Sequence, residues 1–589
     1  MKKLFAFFAA LSLIAGSINA QTVKVSGTVS DSFGPVPGAA VLVQGTTTGT
    51  VTDIDGTYSI QAPANATLEV SCVGYKTATE AVGGRAVVNF ILTEDSELLA
   101  DAVVLGYGVA TKKKDLSASV GVVADPETLA THPVTSTESM LQGQIPGVTI
   151  TAQGGDPTST PSMVIRGQGS KNGDAVLWVV DGVPGAPINS LSDIESIVVL
   201  KDAASAAIYG AQSGAGGVIL VTTKKGTKGV SVNYDGLVGV RSVTNVLQPL
   251  NAEQQLEITK LAYQNAGLPL PDGWDTAKNP YIATTRTNWM DEIFRNAIYH
   301  RHNVTFNAGN EKATNRISLA FEDNQGVLVG TFKKKVGINY RGDIQVNKWI
   351  KFTEDLNWST TTSRGANTDA GTDGVIVNAL QMPSSADKYY YTGTGFGGTT
   401  TEDPEYIARY GSFSGIHGIV VNPLRQLLAD NIYDGNSKLF TTAGIEIGNI
   451  VKGLKFNSRF TYYTNQQHYK RFTPKRTECG SPNPINELYE SSYKDNGWKT
   501  ENTLTYDRTF GKHTVGALLA ATADSYNSRG NSISRKYFED ESENPQYLKY
   551  SNSTPEVDDW YTGDDANVAF IGRVSYSYDD RYFVTGSFR

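Results

Sequence analysis

From Val230 to Arg589 apolar side chains return at every second position, and this period of two constrains the fold more than any other feature. Val230, Val232, Tyr234, Val238 and Val240 alternate with polar or small residues. Val304, Phe306 and Ala308 can pair with Ile317, Leu319 and Phe321 across a turn at Asn310–Asn315. Val336, Ile338 and Tyr340 repeat the pattern, as do Leu454, Phe456, Phe460 and Tyr462. Val574, Tyr576 and Tyr578 lead through Asp579-Asp580-Arg581 to Tyr582 and Val584. Successive side chains of a strand point to opposite faces, so each run offers one apolar and one polar face. About eleven such strands can be counted, each about as long as an outer-membrane crossing requires. Short turns alternate with long polar inserts at Leu247–Ile298, Arg364–Asn436 and Gln466–Tyr493. A barrel has short turns at one rim and long loops at the other. A soluble multi-sheet β protein alternates in the same way, so the pattern by itself leaves both readings open.

The first residues narrow the choice. Lys2 and Lys3 precede an apolar stretch, Leu4–Gly16, and Ala20 ends a short cleavage region. This is a secretory signal over residues 1–20, too short to span a bilayer. Its removal takes the formal net charge from −8 to −10, which does not suggest a nucleic-acid partner. Beyond it, no run of about 18 apolar residues occurs, so no spanning helix is expected. A barrel keeps hydropathy low because half its strand residues are polar, and the mean hydropathy is −0.26. The 29 Tyr suit half-wet strands and membrane–water interfaces, where an apolar ring and a polar hydroxyl are both accommodated. Cys72 and Cys479 are the only cysteines, far apart, so neither a disulfide framework nor a cysteine metal site is indicated.

At 589 residues the chain suggests about three or four domains. Residues 21–93 read as a small all-β domain: Val23, Val25 and Val29 alternate, and Tyr58–Ile60 and Leu68–Cys72 follow turn signals. Residues 94–115 form a boundary containing Asp101-Ala102-Val103-Val104-Leu105-Gly106-Tyr107-Gly108, an apolar strand followed by Lys112-Lys113-Lys114. Residues 116–229 read as an α+β domain. Thr137–Gln142 suits a short helix; Val148–Thr151, Met163–Ile165 and Ala175–Val180 suit strands; and Asp181-Gly182-Val183-Pro184 suits a turn. Ile197–Leu200 is a buried-strand sequence, Asp202 can cap an Ala-rich turn ended by Gly210, and Val218–Thr223 is a returning strand.

The stretch Val199–Gly226, with Lys201, Asp202, Tyr209 and Gly210, closely resembles the plug domain of SusC/RagA-like TonB-dependent outer-membrane transporters of Bacteroidetes type. Arg166-Gly167 and Asp181-Gly182 stand in the order of that plug. Residues 101–108 resemble the family's Ton box, and 21–93 resemble the carboxypeptidase-regulatory-like sandwich that precedes the plug. The resemblance implies an immunoglobulin-like sandwich, an α+β plug and an antiparallel transmembrane β-barrel beginning at residue 230. The family's barrel has about twice the strands counted here, so the resemblance also implies an incomplete barrel in these 589 residues. It implies TonB-dependent import of oligosaccharides or oligopeptides across the outer membrane, with the sandwich and Ton box in the periplasm. Implied partners are TonB with ExbB/ExbD, a SusD-like surface lipoprotein, the nutrient itself and outer-membrane lipid. Competing readings are a secreted β-rich adhesin and a TonB-linked importer of metal chelates.

Nothing in the sequence points to catalysis. There is no Gly-x-Ser-x-Gly elbow, Walker loop or Cys pair, so no catalytic residue, cofactor or enzyme activity is expected. His300 and His302 share a strand face but lack an evident third ligand, so no metal is expected. Asp53 and Asp55 beside Gly56 resemble a calcium loop, but no Glu completes it, and a hairpin turn is the better reading. Gly167–Gly173 lacks the spacing and following helix of a phosphate loop. Asp387-Lys388-Tyr389-Tyr390-Tyr391 could stack sugar rings or pack a loop.

Overall fold

A computed structural model describes residues 22–92 except 32, 33, 37, 45, 47, 54 and 72–76, then 102–104, 110–112 and 120–123. It further describes 134–589 except 135, 152–154, 168–175, 202–205, 207–208, 211–215, 279–281, 283, 370, 372–373, 390–419, 449, 476–482, 540, 542–546 and 580. The signal sequence and both cysteines lie outside these residues.

The N-terminal unit is a two-sheet sandwich. Its strands are β1 (Thr22–Ser30), β2 (Ala40–Val43), β3 (Gly49–Val51), β4 (Thr57–Pro63), β5 (Thr67–Ser71), β6 (Ala78–Ala81) and β7 (Phe90–Ile91). One sheet has the order β4-β1-β7 and the other β3-β2-β5-β6. Residues from both sheets meet in one core containing Val25, Val29, Val41, Ile60, Leu68, Val70 and Phe90. Tyr58 joins it, 5% exposed, with its hydroxyl donating to the Val88 carbonyl at 2.7 Å. Asp53 accepts from the amides of Asp55 and Thr57 at 3.0 and 2.8 Å and from the Thr57 hydroxyl. That is the geometry of a turn, as the sequence suggests. Strands β8 (Ala102–Val104) and β9 (Ala110–Lys112) form a separate two-stranded sheet.

The second unit contains an α+β domain and a large sheet. In the former, α1 (Thr137–Met140) is capped by the Ser136 side chain. Strands β11 (Val148–Thr151) and β12 (Ser162–Ile165) pair as a hairpin. A five-stranded sheet joins β10 (Val120–Val122), β13 (Leu177–Val180), β14 (Val183–Pro184), β15 (Ile194–Leu200) and β16 (Val218–Thr223) in the order β10-β15-β16-β13-β14. The core of this domain draws on residues between Val123 and Val221, such as Ile145, Ile165, Ile197 and Ile219.

The remaining strands form one eleven-stranded antiparallel sheet in simple sequence order. They are β17 (Gly229–Arg241), β18 (Ala297–Gly309), β19 (Ala313–Gln325), β20 (Phe332–Gln345), β21 (Ile350–Arg364), β22 (Asn431–Gly448), β23 (Leu454–Thr473), β24 (Glu487–Phe510), β25 (His513–Lys536), β26 (Glu556–Tyr578) and β27 (Tyr582–Phe588). Short turns such as Gly511-Lys512 lie at one rim. The other rim carries longer connections with helices α2 (Ala252–Ala266), α3 (Trp289–Ile293), α4 (Val375–Gln381) and α5 (Pro423–Leu428). Trp289, Ile293, Val375, Ala379, Leu424 and Leu427 give that rim its own apolar core. Strands β23 and β24 run well into the stretch that the sequence assigns to a polar insert, leaving only residues 474–486 between them.

Candidate functional site

The α+β domain lies against one face of the large sheet, which it meets through polar side chains. The apolar core of the domain contains no residue of the sheet. Prominent among the polar contacts between the two surfaces are those of two aspartates and an asparagine.

Asp181 and Gly182 form the two-residue turn between β13 and β14, with φ of 50° and 86°. Both positive angles are those an Asp-Gly hairpin adopts readily. The Asp181 carboxylate accepts from the Thr223 amide at 3.0 Å and the Thr223 hydroxyl at 2.7 Å. It also pairs with Arg341 of β20 at 2.8 Å. Arg341 reaches Asp355 of β21 at 3.2 Å through Nε. Arg459 of β23 donates to the Asp181 carbonyl at 2.8 Å. A Cβ on Gly182 would lie 2.6 Å from Arg459 Nη1, so a side chain there would displace the guanidinium.

Asp193, 2% exposed, sits in the short turn before β15. Its carboxylate accepts from Arg316 of β19 at 2.8 Å and from Asn339 of β20 at 2.9 Å. Its carbonyl accepts from the Lys224 amide at 2.8 Å. Asn189 donates to the side chains of Asn339 and Asn357 at 2.8 and 2.9 Å and to the Trp358 carbonyl at 3.0 Å. Gly337 makes room for it, since a Cβ there would lie 2.6 Å from Asn189 Cγ. Asn357 returns a bond to the Pro187 carbonyl at 2.6 Å. The bonds of the Asp181 and Asp193 carboxylates are charge-assisted and stronger than neutral ones, and burial shields them from screening.

The turn pair Asp181-Gly182 thus stands in the seam. The other residues singled out in the sequence do not gather there. Arg166 and Gly167 follow β12 with φ of 59° and 104°, and the Arg166 amide donates to the Gly147 carbonyl at 2.8 Å. Lys201 donates to the Pro146 carbonyl at 3.2 Å. Tyr209 is buried and Gly210 has φ of 69°. Asp202 lies outside the described residues, as do Asp101, Leu105, Gly106 and Tyr107; Ala102, Val103 and Val104 form β8. His302 accepts from or donates to the Tyr234 hydroxyl at 2.7 Å and stacks on Phe321, on the face away from the seam. Of the aromatic loop, Tyr390 and Tyr391 lie outside the described residues, while Lys388 pairs with Glu292 at 3.0 Å. Among the described residues no group of three or more His, Cys, Asp or Glu could hold a metal ion. The seam residues Asn189, Asp193, Arg316, Asn339, Arg341, Asn357 and Arg459 were not anticipated. For Arg316, Asn339, Arg341, Asn357 and Arg459 the signal is a large hydrogen-bonding side chain at the polar phase of the strand alternation.

Residues 25–105 match the CarboxypepD_reg-like domain family, and residues 112–218 match the TonB-dependent Receptor Plug Domain. The TonB-dependent receptor SusC of Bacteroides thetaiotaomicron is 34% identical over 412 residues, covering 66% of this chain and 40% of that protein. The chain is similar to the SusC-like TonB-dependent receptors, at 28–34% identity over most of its length. TonB-dependent receptor P3 of Formosa agariphila is 28% identical over 589 residues, covering 98% of this chain and 55% of that protein. This SusC-like chain therefore spans about half the length of the curated relatives it matches. The RagAB peptide importer in its open-open state shares the fold, with a TM-score of 0.66 at 21% identity over 83% of this chain and 56% of that one. The α+β domain is accordingly the plug, and the large sheet is barrel wall.

Proposed function

We propose that this protein is an energised importer of the outer membrane that takes up oligomeric nutrients, oligosaccharide or oligopeptide. The observation that carries the reading is the plug held to the wall's inner face by the Asp181 and Asp193 seam, which would keep a lumen closed at rest. In this reading residues 1–20 direct secretion, 21–93 are a periplasmic sandwich, 94–115 carry the Ton box, 116–229 are the plug and 230–589 are wall. Asp101–Tyr107 adds as a strand to a sheet edge of TonB, with backbone hydrogen bonds supplying affinity. ExbB and ExbD supply the force, because the outer membrane holds no nucleotide. Arg166, Gly167, Asp181, Gly182, Lys201, Asp202, Tyr209 and Gly210 set the plug's turns and its grip on the wall. Likeness to SusC and RagAB supports a surface lipoprotein of the SusD type as lid and an oligomeric substrate. The protein acts as a transporter, not an enzyme.

Deleting Asp101–Tyr107 tests this. Membrane insertion and substrate binding are expected to persist, and uptake of labelled nutrient to stop. Normal uptake by the deletion strain overturns the assignment.

A further inference from the structure

The wall's outer face carries a site of its own. Arg459 and Asn339 point to the plug, so Phe460 and Ile338 beside them point away, and pairing extends that assignment from strand to strand. On this outer face Phe456, Leu504, Leu519 and Phe570 form an apolar band, topped towards the long-loop rim by Tyr462 and Trp498. Aromatic residues of that kind mark the edge of the hydrocarbon layer.

The strands continue past this edge. Ser437, Gln466, Lys494, Arg529 and Tyr561 are successive cross-strand partners on one rung. Lys494 is four residues beyond Trp498, about 14 Å along the strand and less along the axis of a tilted one. The rung borders a hollow of about 840 Å³, also lined by Tyr433, His468 and Asn531. Lys494 and Arg529 are exposed and directly opposed. Neither side chain has a hydrogen bond or ion pair to another described residue. Two other cations of this face are neutralised, Lys334 by Asp323 at 3.2 Å and Lys470 by Glu490 at 3.7 Å. The carboxylate lining the hollow, Asp559, lies on the next rung, opposite Asn531.

Like charges directly opposed across strands destabilise a sheet. A shared anion removes the repulsion and gains charge-assisted hydrogen bonds. The anions expected at this depth, just outside the hydrocarbon edge, are lipid phosphates. We propose that Lys494 and Arg529 bind the phosphate of an outer-leaflet saccharolipid, whose sugar is held by the hydroxyl and amide groups of the hollow. The proposal rests on the outer-membrane reading above, and it assigns a lipid site distinct from the plug seam and from any nutrient.

The test titrates the detergent-purified protein, followed by native mass spectrometry, with lipid A bearing two phosphates, dephosphorylated lipid A and inorganic phosphate. The phosphorylated lipid is expected to bind, and K494Q/R529Q to weaken it roughly tenfold per cation. K494R/R529K should restore binding, while K452Q, at the short-turn rim, should leave it unchanged. Dephosphorylated lipid A should bind wild type no better than phosphorylated lipid binds the double variant. Equal affinity in wild type and K494Q/R529Q overturns the proposal. So does displacement of the lipid by inorganic phosphate at equal occupancy, which would mark a site for the free anion. Nutrient uptake, measured separately, stays normal in K494Q/R529Q if only the lipid site is lost. The import reading and the lipid site can therefore fail independently.

Discussion

Gly182 is held to glycine twice, by a φ of 86° and by the Arg459 guanidinium packed where a Cβ would stand. Gly182→Ala should cost about 1–3 kcal/mol in strain and push Arg459 off the Asp181 carbonyl. Its neighbour tests the charge. Asp181→Asn keeps the shape but removes one of the two carboxylates paired with a largely buried Arg341, leaving Asp355, a loss of about 3 kcal/mol. Amide hydrogen exchange across β13 and β16 should then accelerate roughly a hundredfold, by the usual conversion of 1.4 kcal/mol per tenfold. Unchanged protection in both variants would mean that the seam does not hold the plug. The sequence marks Asp181-Gly182 as a turn because the dipeptide has local preferences of its own. Asp193 and Asn189 look like ordinary loop residues in sequence. Their partners lie on β19, β20 and β21, more than a hundred positions away.

At the scale of elements, the sandwich carries its own pH dependence. Burial pushes the Tyr58 phenol up from 10.0 to about 12. The folded state therefore keeps its proton where the unfolded chain has lost it. Stability from this group is fully present below pH 10 and falls as pH rises from 10 towards 12, by roughly 2 kcal/mol. Urea titrations of a 22–92 domain should show that decline, and Tyr58→Phe should remove it while lowering neutral-pH stability by about 1 kcal/mol for the bond to Val88. An identical alkaline slope in the variant would sink the assignment. Period-two alternation reveals most wall strands, because one face carries apolar side chains and the other meets the plug through polar ones. It fades over 464–473 and 487–496, where most residues on both faces are polar, so polar strand reads there as polar insert. Pairing with adjacent strands, rather than hydrophobic contrast, keeps those residues extended.

For the whole molecule, the band and the rung above it make opposite demands. Leu504→Arg places a cation on the lipid face and should lower stability in liposomes by about 2–4 kcal/mol. Ser492→Arg, on the same face but beyond the aromatic edge, should stay within about 0.5 kcal/mol. Equal losses, read from urea midpoints, would move the membrane from where the aromatic edge puts it. The seam has a further consequence at this scale. An oily plug bedded in an oily sleeve would expose two apolar surfaces at once when drawn out, a single steep wall of free energy. Here the apolar core stays inside the plug, and what parts are carboxylates, amides and guanidinia. Water can step in behind each broken contact and replace it nearly one for one. Drawing the plug out would thus meet a staircase of steps of ~1 kcal/mol each, wetted as it is climbed and equally easy to descend.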